Sequence, residues 1–511
     1  MKMNLKPLQN KGLSEVIRDF TPNWFTLNMG TGIAFLTLHN INTNIFYGQT
    51  QIGIGFWIVD ILFFLLFSFL MIARIILYPE AIALMLKHPV QSMFLGAIPM
   101  ALVPILEGFA IFGPPIMGDK ALDIALYLWW IDVILAVGVG WLVPYLMFTV
   151  QKEHKLENMT AVWLLPIVAS EVTASAGGML APYFPNSMGE TMLILSYILW
   201  TFSVPLAFSI LVILFLRLAT HKLPDKAMAV TSWLTLGPLG TGALGLLLLG
   251  NSAKSALAGT GLEGISSFLY DFGLIMGLLI WGYALWWFFM AWFITLKFFK
   301  EGLPFNMGWW GFTFPVGVFT ASTFQLWKET GINAFEYFGM LLSVQLMVFW
   351  LIIFVKTIKG MWSGYLFHAP CLSPETGLPK EEEECKKFEQ NKKNIHKKDN
   401  TMKQEKWVMQ LLEPSHYVHL FNMLHANMEE VDIKVVVVGG AVLPAFAHGH
   451  LKEKIEEFAA KGVDFNFCIN SMHLLGLDSK DLPEGTSIAS EGGLQAINAY
   501  RKAGYTYFVV A

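Results

Sequence analysis

The chain has 511 residues, of which 55% are hydrophobic and only 14% are charged. Soluble domains carry about 25% charged residues, so this composition predicts a membrane protein and excludes a wholly soluble one. The formal net charge of −4 argues against a nucleic-acid-binding protein. The three cysteines, Cys371, Cys385 and Cys468, provide no disulfide framework and fit a reducing compartment.

A segment at 1–20 precedes ten long apolar segments, and the first of these contains no small-residue cleavage pattern, so we expect no cleavable signal peptide. A bilayer core about 30 Å thick needs roughly 20 apolar residues per helix. The sequence therefore predicts an α-helical membrane domain at 21–360. Its ten transmembrane helices are predicted at 21–40, 52–77, 91–112, 122–150, 159–181, 190–217, 227–250, 265–296, 308–327 and 333–358.

The basic residues between the predicted spans give the orientation. If the N-terminus lies inside, the outer loops hold only Lys120, Lys254 and Lys328, and the inner segments hold every other Lys and Arg of this region. Lys and Arg accumulate on the cytoplasmic side of membrane proteins. We therefore expect a multi-pass protein of the inner (plasma) membrane, with both termini in the cytoplasm.

The odd-numbered spans are rich in small residues, as in "NMGTGIAF", whereas the even-numbered spans are bulkier, as in "FWIVDILFFLLFSFL". Prolines recur in the odd spans about every 70 residues, at Pro99, Pro166, Pro238 and Pro315. This alternation predicts a helical hairpin repeated five times. Proline frees a carbonyl group that lipid cannot satisfy, so we expect the odd helices to surround a pore. Gly30, Gly32 and the four prolines are then candidate pore-lining kinks; the alternative is that small residues only tighten helix packing.

Five carboxyl-bearing residues lie in the interiors of the predicted spans, away from the span ends, and such groups are costly at membrane depth and are functional candidates by default. They are Asp60, Glu107, Asp132, Glu171 and Asp271. Glu107 and Glu171 belong to odd spans, so they are our candidates for carrying protons coupled to substrate movement. The alternative is a hydrogen-bonded carboxyl group that holds two helices together, and we favour it for the three aspartates.

An anion path through such a pore needs no buried Lys or Arg, because helix ends and free backbone N–H groups supply partial positive charge. A hydrophobic constriction can close such a path. Phe314, beside Pro315 in the ninth span, is the candidate gate. The alternative is that Phe314 only packs against neighbouring helices.

Five motifs in chain order resemble the tellurite-resistance/dicarboxylate transporter family over residues 18–360: "PNWFTLNMGTGI", "HPVQSMFLGAIPM", "WLLPIVASEVTASAGG", "LGPLGTG" and "GWWGFTFPVGVFT". That family includes fungal malate permeases, sulfite efflux pumps and plant slow anion channels. The resemblance implies five hairpins around a central pore, commonly a homotrimer, and small anions as substrates. It also implies that Phe314 occludes the pore. Glu107 and Glu171 are not part of the resemblance.

The C-terminal part differs sharply in composition. A charged stretch at 361–405 is predicted to be a flexible linker, because it has almost nothing apolar to bury. In 406–511, the strands "WVMQLL", "IKVVVVGG", "VDFNFCIN" and "YTYFVV" alternate with helices, which predicts a small parallel α/β sheet. Cys468 falls near the carboxyl end of the third strand, where ligands bind to such sheets.

A cysteine in an apolar strand is either an inert core residue or a reactive thiolate near positive charge. His448 and His450 are the candidates for that charge; two histidines make a poor metal site, and we expect no metal and no cofactor. The stretch from "VVVVGGAV" to "AYRKAGYTYFVV" resembles the DsrE-like sulfur-relay family. The resemblance implies that Cys468 carries sulfur as a persulfide and that sulfur-relay proteins are partners.

Together the two parts predict an exporter of sulfite or a related sulfur oxyanion, not an enzyme, with a cytoplasmic sulfur-handling or sulfur-sensing domain. One alternative is a proton-coupled transporter of malate or another C4 dicarboxylate. A second alternative, of another class, is a sulfur-transfer enzyme or sensor that the membrane domain only anchors. The expected partners are small anions, the lipid bilayer and further copies of the chain, and not nucleic acid.

Overall fold

The computed structural model describes residues 12–41, 47–151, 154–184, 187–372, 405–428, 431–446 and 449–510. The chain forms two compact units, Met1–Lys380 and Glu381–Ala511. The described part of the first unit is helical. Its α-helices are α1 (Leu13–Asp19), α2 (Phe25–Asn40), α3 (Gln49–Leu77), α4 (Pro79–Lys87), α5 (Ala97–Phe112), α6 (Pro114–Met117), α7 (Lys120–Thr149), α8 (Leu165–Leu180), α9 (Ser187–His221), α10 (Leu236–Ala256), α11 (Ser266–Glu301), α12 (Phe314–Thr330) and α13 (Asn333–Ser363).

Within the described residues, eight helical segments are long and apolar enough to cross a membrane. They are Gln49–Leu77, Ser92–Phe112, Lys120–Thr149, Ala161–Tyr183, Ser187–His221, Lys226–Ala256, Glu263–Glu301 and Asn333–Ser363. Each coincides with a predicted span. The other two predicted spans contain α2 and α12, which have 16 and 17 residues. At 1.5 Å per residue these helices are about 24–26 Å long, less than the bilayer core, so the total of ten stays a prediction.

Burial separates the helices into two groups. In Ala161–Tyr183, which contains α8, 94% of the most apolar stretch is buried, against 22% in Lys120–Thr149. We call α2, α5, α8, α10 and α12 the inner helices, and α3, α7, α9, α11 and α13 the outer helices. Each inner helix packs against the next one, and α12 packs against α2. The outer helices expose large apolar side chains such as Leu62, Phe69 and Ile134, which suits a surface that faces lipid.

A 3-10 segment precedes each inner helix. The five segments are Pro22–Trp24, Ser92–Gly96, Ala161–Leu164, Lys226–Thr235 and Met307–Phe312. The four recurring prolines follow these segments and lie in the first turn of α5, α8, α10 and α12. In that turn a backbone N–H has no partner within the α-helix, so a proline there removes no hydrogen bond of the α-helix. These prolines therefore mark where an α-helix begins.

Glycines allow the inner helices to approach one another closely. A Cβ atom on Gly96 would lie 2.6 Å from the carbonyl carbon of Leu165, at the point where the start of α5 meets the start of α8. A Cβ atom on Gly32 of α2 would lie 2.6 Å from Cγ of Pro104 in α5. Backbone therefore packs directly against backbone or proline at these crossings, as small residues permit between membrane helices.

The second unit contains a five-stranded parallel sheet in the order β4-β3-β2-β1-β5. Its strands are β1 (Glu405–Leu411), β2 (Val431–Val437), β3 (Asp464–Cys468), β4 (Ser487–Ala489) and β5 (Thr506–Val510). Its described helices are α14 (Tyr417–Asn427), α15 (Val442–Phe446), α16 (His450–Ala460), α17 (Ile469–Leu474) and α18 (Gly493–Lys502). The predicted parallel α/β sheet is confirmed. β4 was not predicted, because three residues at the edge of a sheet are too few to show an alternation of polar and apolar residues.

We predict that Gly96→Ala destabilises the membrane part, because the added methyl group meets a backbone carbonyl that cannot move aside. Overpacking of this kind typically costs about 1–3 kcal/mol. Gly237→Ala is the matched control: Gly237 also lies at the start of an inner helix, α10, but its added Cβ meets nothing within 4 Å. Thermal unfolding of the purified protein in detergent should show a lower midpoint for the first variant only. Equal midpoints would contradict the packing argument.

Candidate functional site

Two cavities lie among the inner helices of the first unit. The N-terminal cavity, of about 340 Å³, is lined by the 3-10 segments and the first turns of the inner helices. The C-terminal cavity, of about 240 Å³, is lined by residues farther along the same helices. Phe314 belongs to the lining of both cavities. Its side chain therefore lies where the two cavities meet.

Each inner helix presents one stripe of side chains to the cavities. On α12 the stripe is Phe314, Val318, Ala321, Gln325 and Lys328. These residues recur every three or four positions, as expected for one face of an α-helix. The stripe of α12 therefore runs from the junction of the cavities to the far end of the helix.

The start of α12 holds Phe314 in place. Phe314 is the first residue of the helix and is 4% exposed, and Pro315 follows it in the first turn. The preceding 3-10 segment is fixed to α13 by a hydrogen bond that Trp310 Nε1 donates to Thr357 Oγ1, at 3.1 Å. On the other side, a Cβ atom on Gly30 would lie 2.7 Å from Cζ3 of Trp310. The ring of Phe314 therefore stands on a rigid support between α2 and α13.

The N-terminal cavity has no Lys, Arg, Asp or Glu among the described residues that line it. Its polar lining consists of neutral side chains, including Asn23, Gln91, Thr231 and Asn306, together with His88. All five inner helices begin at this cavity, and the N-terminus of a helix carries partial positive charge. The cavity can therefore attract anions without a fixed cation.

The C-terminal cavity contains charged groups. Lys328 and His39 line it and are exposed, and Lys328 Nζ lies 3.4 Å from Asn40 Oδ1. Glu107 lines the same cavity and is 9% exposed. Within the described residues, no hydrogen bond to the Glu107 carboxyl group is found. A cation and a carboxyl group thus share one cavity on the far side of Phe314.

The two glutamates predicted as proton carriers lie in different settings. Glu107 follows Val103 by four residues on the stripe of α5, whereas Glu171 lies beside, and not on, the stripe of α8 that contains Val168 and Val172. Glu171 is fully buried and accepts a hydrogen bond of 3.1 Å from Ser203 Oγ of α9. The structure therefore places only Glu107 at a cavity.

Two of the three aspartates also join helix pairs. Asn28 Nδ2 of α2 donates to Asp60 Oδ1 of α3 at 2.9 Å, and Thr173 Oγ1 of α8 donates to Asp132 Oδ2 of α7 at 2.7 Å. Both aspartates are fully buried. Asp271 is exposed on α11. None of the three lines either cavity.

Among the predicted kink residues, Pro315 alone lines a cavity described above. Gly30 and Gly32 face Trp310 and Pro104 of neighbouring helices, so they act in packing. Pro99, Pro166 and Pro238 are buried in first turns away from the cavity lining. The proline inside an inner helix that does line a cavity is Pro104, which the 70-residue recurrence did not include.

Sequence reasoning did not single out four polar residues of the cavity lining: His39, His88, Gln91 and Lys328. Lys328 lies just beyond the predicted ninth span, although it follows Gln325 and Ala321 at helical spacing. His88 and Gln91 belong to the quoted motif "HPVQSMFLGAIPM", but a motif does not show which way its side chains point. Of these four residues, only Lys328 could have been assigned to the cavity lining from its helical spacing.

In the second unit, Cys468 ends β3 and is 6% exposed. The Cys468 sulfur lies at the N-termini of two helices. It accepts a hydrogen bond of 3.1 Å from the backbone N–H of Gly493, the first residue of α18. Cys468 is also the residue directly before α17. Gly493 must lack a side chain, because an added Cβ atom would clash with Cγ1 of Val438.

Hydrogen bonds favour the thiolate form of Cys468. Burial by itself raises the pKa of this thiol, but the hydroxyl group of Ser471 and the backbone N–H groups of Ser471, Gly493 and Asn470 outweigh it and lower the pKa. In the first unit, burial raises the pKa of Cys371, even though Arg74 lies 3.7 Å from its sulfur. Cys385, His448 and the side chain of His450 lie outside the described residues.

Comparison with known proteins identifies the membrane part. The profile of a family described as voltage-dependent anion channel (SLAC1) matches residues 19–358. A sulfite efflux pump from Arthroderma benhamiae is 38% identical over 69% of this chain and 93% of that protein. An uncharacterised transporter from Methanocaldococcus jannaschii is 30% identical over 70% of this chain and 98% of its own length. A malic acid transport protein from Schizosaccharomyces pombe is 26% identical over 68% of this chain and 80% of its own length.

The profile match extends over the α-helices from α2 to α12 and most of α13, and it therefore includes both cavities and Phe314. The membrane part is thus a multi-pass protein of an anion channel and transporter family. The resemblance that the sequence motifs indicated is confirmed at this level: the chain belongs to the voltage-dependent anion channel (SLAC1) family.

Proposed function

We propose that the protein exports sulfite or a related sulfur oxyanion through the membrane part. The observation that carries the proposal is the position of Phe314 between two cavities, one of which is lined, among the described residues, mainly by apolar side chains and by neutral polar ones. The sulfite efflux pumps among its relatives support the choice of anion. An anion would pass from one cavity to the other when the ring of Phe314 turns aside.

The proposal includes an arrangement of ten spans. With α2 and α12 added to the eight long segments, the domain at 21–360 would consist of five hairpins around a central pore. The packing of each inner helix against the next, and of α12 against α2, supports this arrangement. The distribution of Lys and Arg supports cytoplasmic termini, with the N-terminal cavity on the cytoplasmic side. A homotrimer is proposed from the family resemblance alone.

Glu107 is the proposed proton-coupling group. It lines the C-terminal cavity together with Lys328, and no hydrogen bond to its carboxyl group is found within the described residues. An anion in that cavity is attracted by Lys328 and repelled by an ionised Glu107, so binding of the anion favours protonation of the carboxyl group. The hydrogen bond between Glu171 and Ser203 supports the alternative role for Glu171, which is to hold α8 and α9 together.

A second function is proposed for the C-terminal unit, at 406–511, which a linker at 361–405 would join to the membrane part. We propose that it is a DsrE-like sulfur carrier in the cytoplasm. Its support is Cys468 at the carboxyl end of β3, with hydrogen bonds that favour the thiolate. The Cys468 thiolate would attack the outer sulfur of a donor persulfide, so that the donor's S–S bond breaks, a new S–S bond forms on Cys468, and the donor leaves as a thiolate.

Proteoliposomes with the purified full-length protein test the main proposal. We expect radiolabelled sulfite to cross faster than malate, and sulfite flux to exceed that of empty vesicles. Malate is the alternative cargo to test, because one of the relatives is a malic acid transport protein. Malate flux that depends on a proton gradient, with sulfite inert, would overturn the sulfite proposal.

The same vesicles test Glu107. A Glu107→Gln variant should lose the dependence of flux on the proton gradient, because the amide cannot exchange a proton. Glu171→Gln is the matched control and should keep that dependence, since Glu171 lines neither cavity. Loss of the dependence in the control alone would reverse the two assignments.

We expect Phe314→Ala to raise anion flux at least several-fold, because it removes the ring that separates the cavities. Phe319→Ala is the matched control on the same helix: Phe319 packs against Trp281 and Phe288, with ring centroids 5.6 and 5.8 Å away, and lines neither cavity. Flux per folded protein should rise for Phe314→Ala only. Unchanged flux in that variant would refute the gate.

Reactivity of Cys468 tests the C-terminal site. We predict that its alkylation, followed by peptide mass spectrometry against pH, has its midpoint below the ordinary range of cysteine, because hydrogen bonds lower its pKa. Ser471→Ala removes one of these hydrogen bonds and should move the midpoint to higher pH. Ser479→Ala, at an exposed serine beside Asp478, should leave it in place. A midpoint that does not respond to Ser471→Ala would contradict the proposed thiolate site.

A further inference from the structure

The turn between α4 and the 3-10 segment Ser92–Gly96 fixes the imidazole of His88. Its Nδ1 atom accepts hydrogen bonds from the backbone N–H groups of Val90, at 3.1 Å, and Gln91, at 3.2 Å. A nitrogen that accepts hydrogen bonds carries no proton, so a neutral His88 must carry its proton on Nε2. Burial lowers the pKa of His88, which keeps the ring neutral at pH 7. His88 therefore offers one N–H donor, Nε2–H, at the N-terminal cavity that it lines.

Gln151 secures this turn on both sides of His88. Its Nε2 donates to the carbonyl oxygen of Leu86 and to Ser92 Oγ, both at 2.8 Å. Its Oε1 lies 2.9 Å from His154 Nε2, so every polar atom of the Gln151 amide group has a partner. Gln151, with all its hydrogen bonds made, thus holds the turn at both ends. Such a turn is pre-organised, so the N–H donors of the turn keep their direction without a ligand.

Gln91 adds a second donor to the same wall. It is 5% exposed and lines the N-terminal cavity. Its side-chain oxygen is buried without a partner, and within the described residues its amide group makes no side-chain hydrogen bond. An unpaired buried polar atom is costly, with a loss of about 1–3 kcal/mol. The unpaired atom is the acceptor Oε1, and a half-turn of the terminal amide group exchanges it with the Nε2–H donors, so the side chain can donate to a molecule in the cavity.

We infer that the His88–Gln91 turn is an oxyanion-binding element of the N-terminal cavity, in which His88 Nε2–H and the Gln91 amide N–H donate to oxygens of one oxyanion. The inference rests on the proposed function and adds the residues that recognise the cargo. Neutral donors beside the starts of five helices suit an anion with several oxygen acceptors, because each acceptor finds a directed N–H group. The motif "HPVQ" would then serve recognition as well as the turn.

Two substitutions separate recognition from folding. In His88→Asn, the side-chain oxygen can accept the two backbone N–H groups as Nδ1 does, but the Nε2–H donor is lost. Gln91→Leu keeps the approximate shape and removes the amide group. The matched controls are His221→Asn, at an exposed histidine at the end of α9, and Gln345→Leu, at an amide of α13 that Trp292 contacts away from both cavities.

The first measurement is equilibrium binding of radiolabelled sulfite to the full-length protein in detergent, and the second is the KM of sulfite flux in proteoliposomes. We expect each cavity variant to weaken binding and raise KM about tenfold or more, the loss typical of a hydrogen bond to a charged group, with an unchanged maximal rate. Thermal midpoints should match the wild type. The controls should bind sulfite normally.

The outcomes distinguish the two proposals. Wild-type protein that binds sulfite through these residues but does not move it would overturn the proposed function and keep the binding element. Protein that moves sulfite with the same KM in both folded cavity variants would overturn the binding element and keep the proposed function. Wild-type protein that does not bind sulfite at all would overturn the inference.

Discussion

Close backbone approach between the inner helices is the constraint on which the membrane part depends. At Gly96 and Gly30, any side chain would meet a neighbouring helix or its 3-10 segment, so these helices pack at a distance that only glycine permits. All five inner helices begin at the N-terminal cavity, where their N-termini provide partial positive charge.

The same packing decides which polar residues become structural. Asp60 and Glu171 point between an inner and an outer helix, where Asn28 and Ser203 each donate a hydrogen bond to one carboxyl oxygen and so join one layer to the other. The second oxygens, Asp60 Oδ2 and Glu171 Oε1, are buried and have no hydrogen-bond partner within the described residues. Glu107 lies on the face that its helix turns to the cavity, and in the described part of the chain no hydrogen bond joins its carboxyl group to a neighbouring helix. Position on the helix surface, and not residue type, separates the two roles.

The spans, their alternation and the parallel sheet could be predicted from the sequence, because hydropathy and residue size leave periodic signals. The rotation of each helix could not, since Glu107 and Glu171 both lie on odd spans and only neighbour contacts distinguish them. The prolines were expected to kink helices, but the 3-10 segments before them, which no periodicity reveals, place them in first turns. Phe314 was found through a motif. Ser471 and Gly493, which surround the Cys468 sulfur, come from separate elements that only the folded sheet brings together.

Among the described residues, the lining of the N-terminal cavity is uncharged, and this affects the rate at which an anion leaves the cavity. A fixed cation would hold an anion tightly and delay its departure, whereas helix ends and neutral N–H donors bind it with modest strength. Dwell time in the cavity is then short. Such a lining favours high throughput when the anion is abundant over efficient capture when it is scarce.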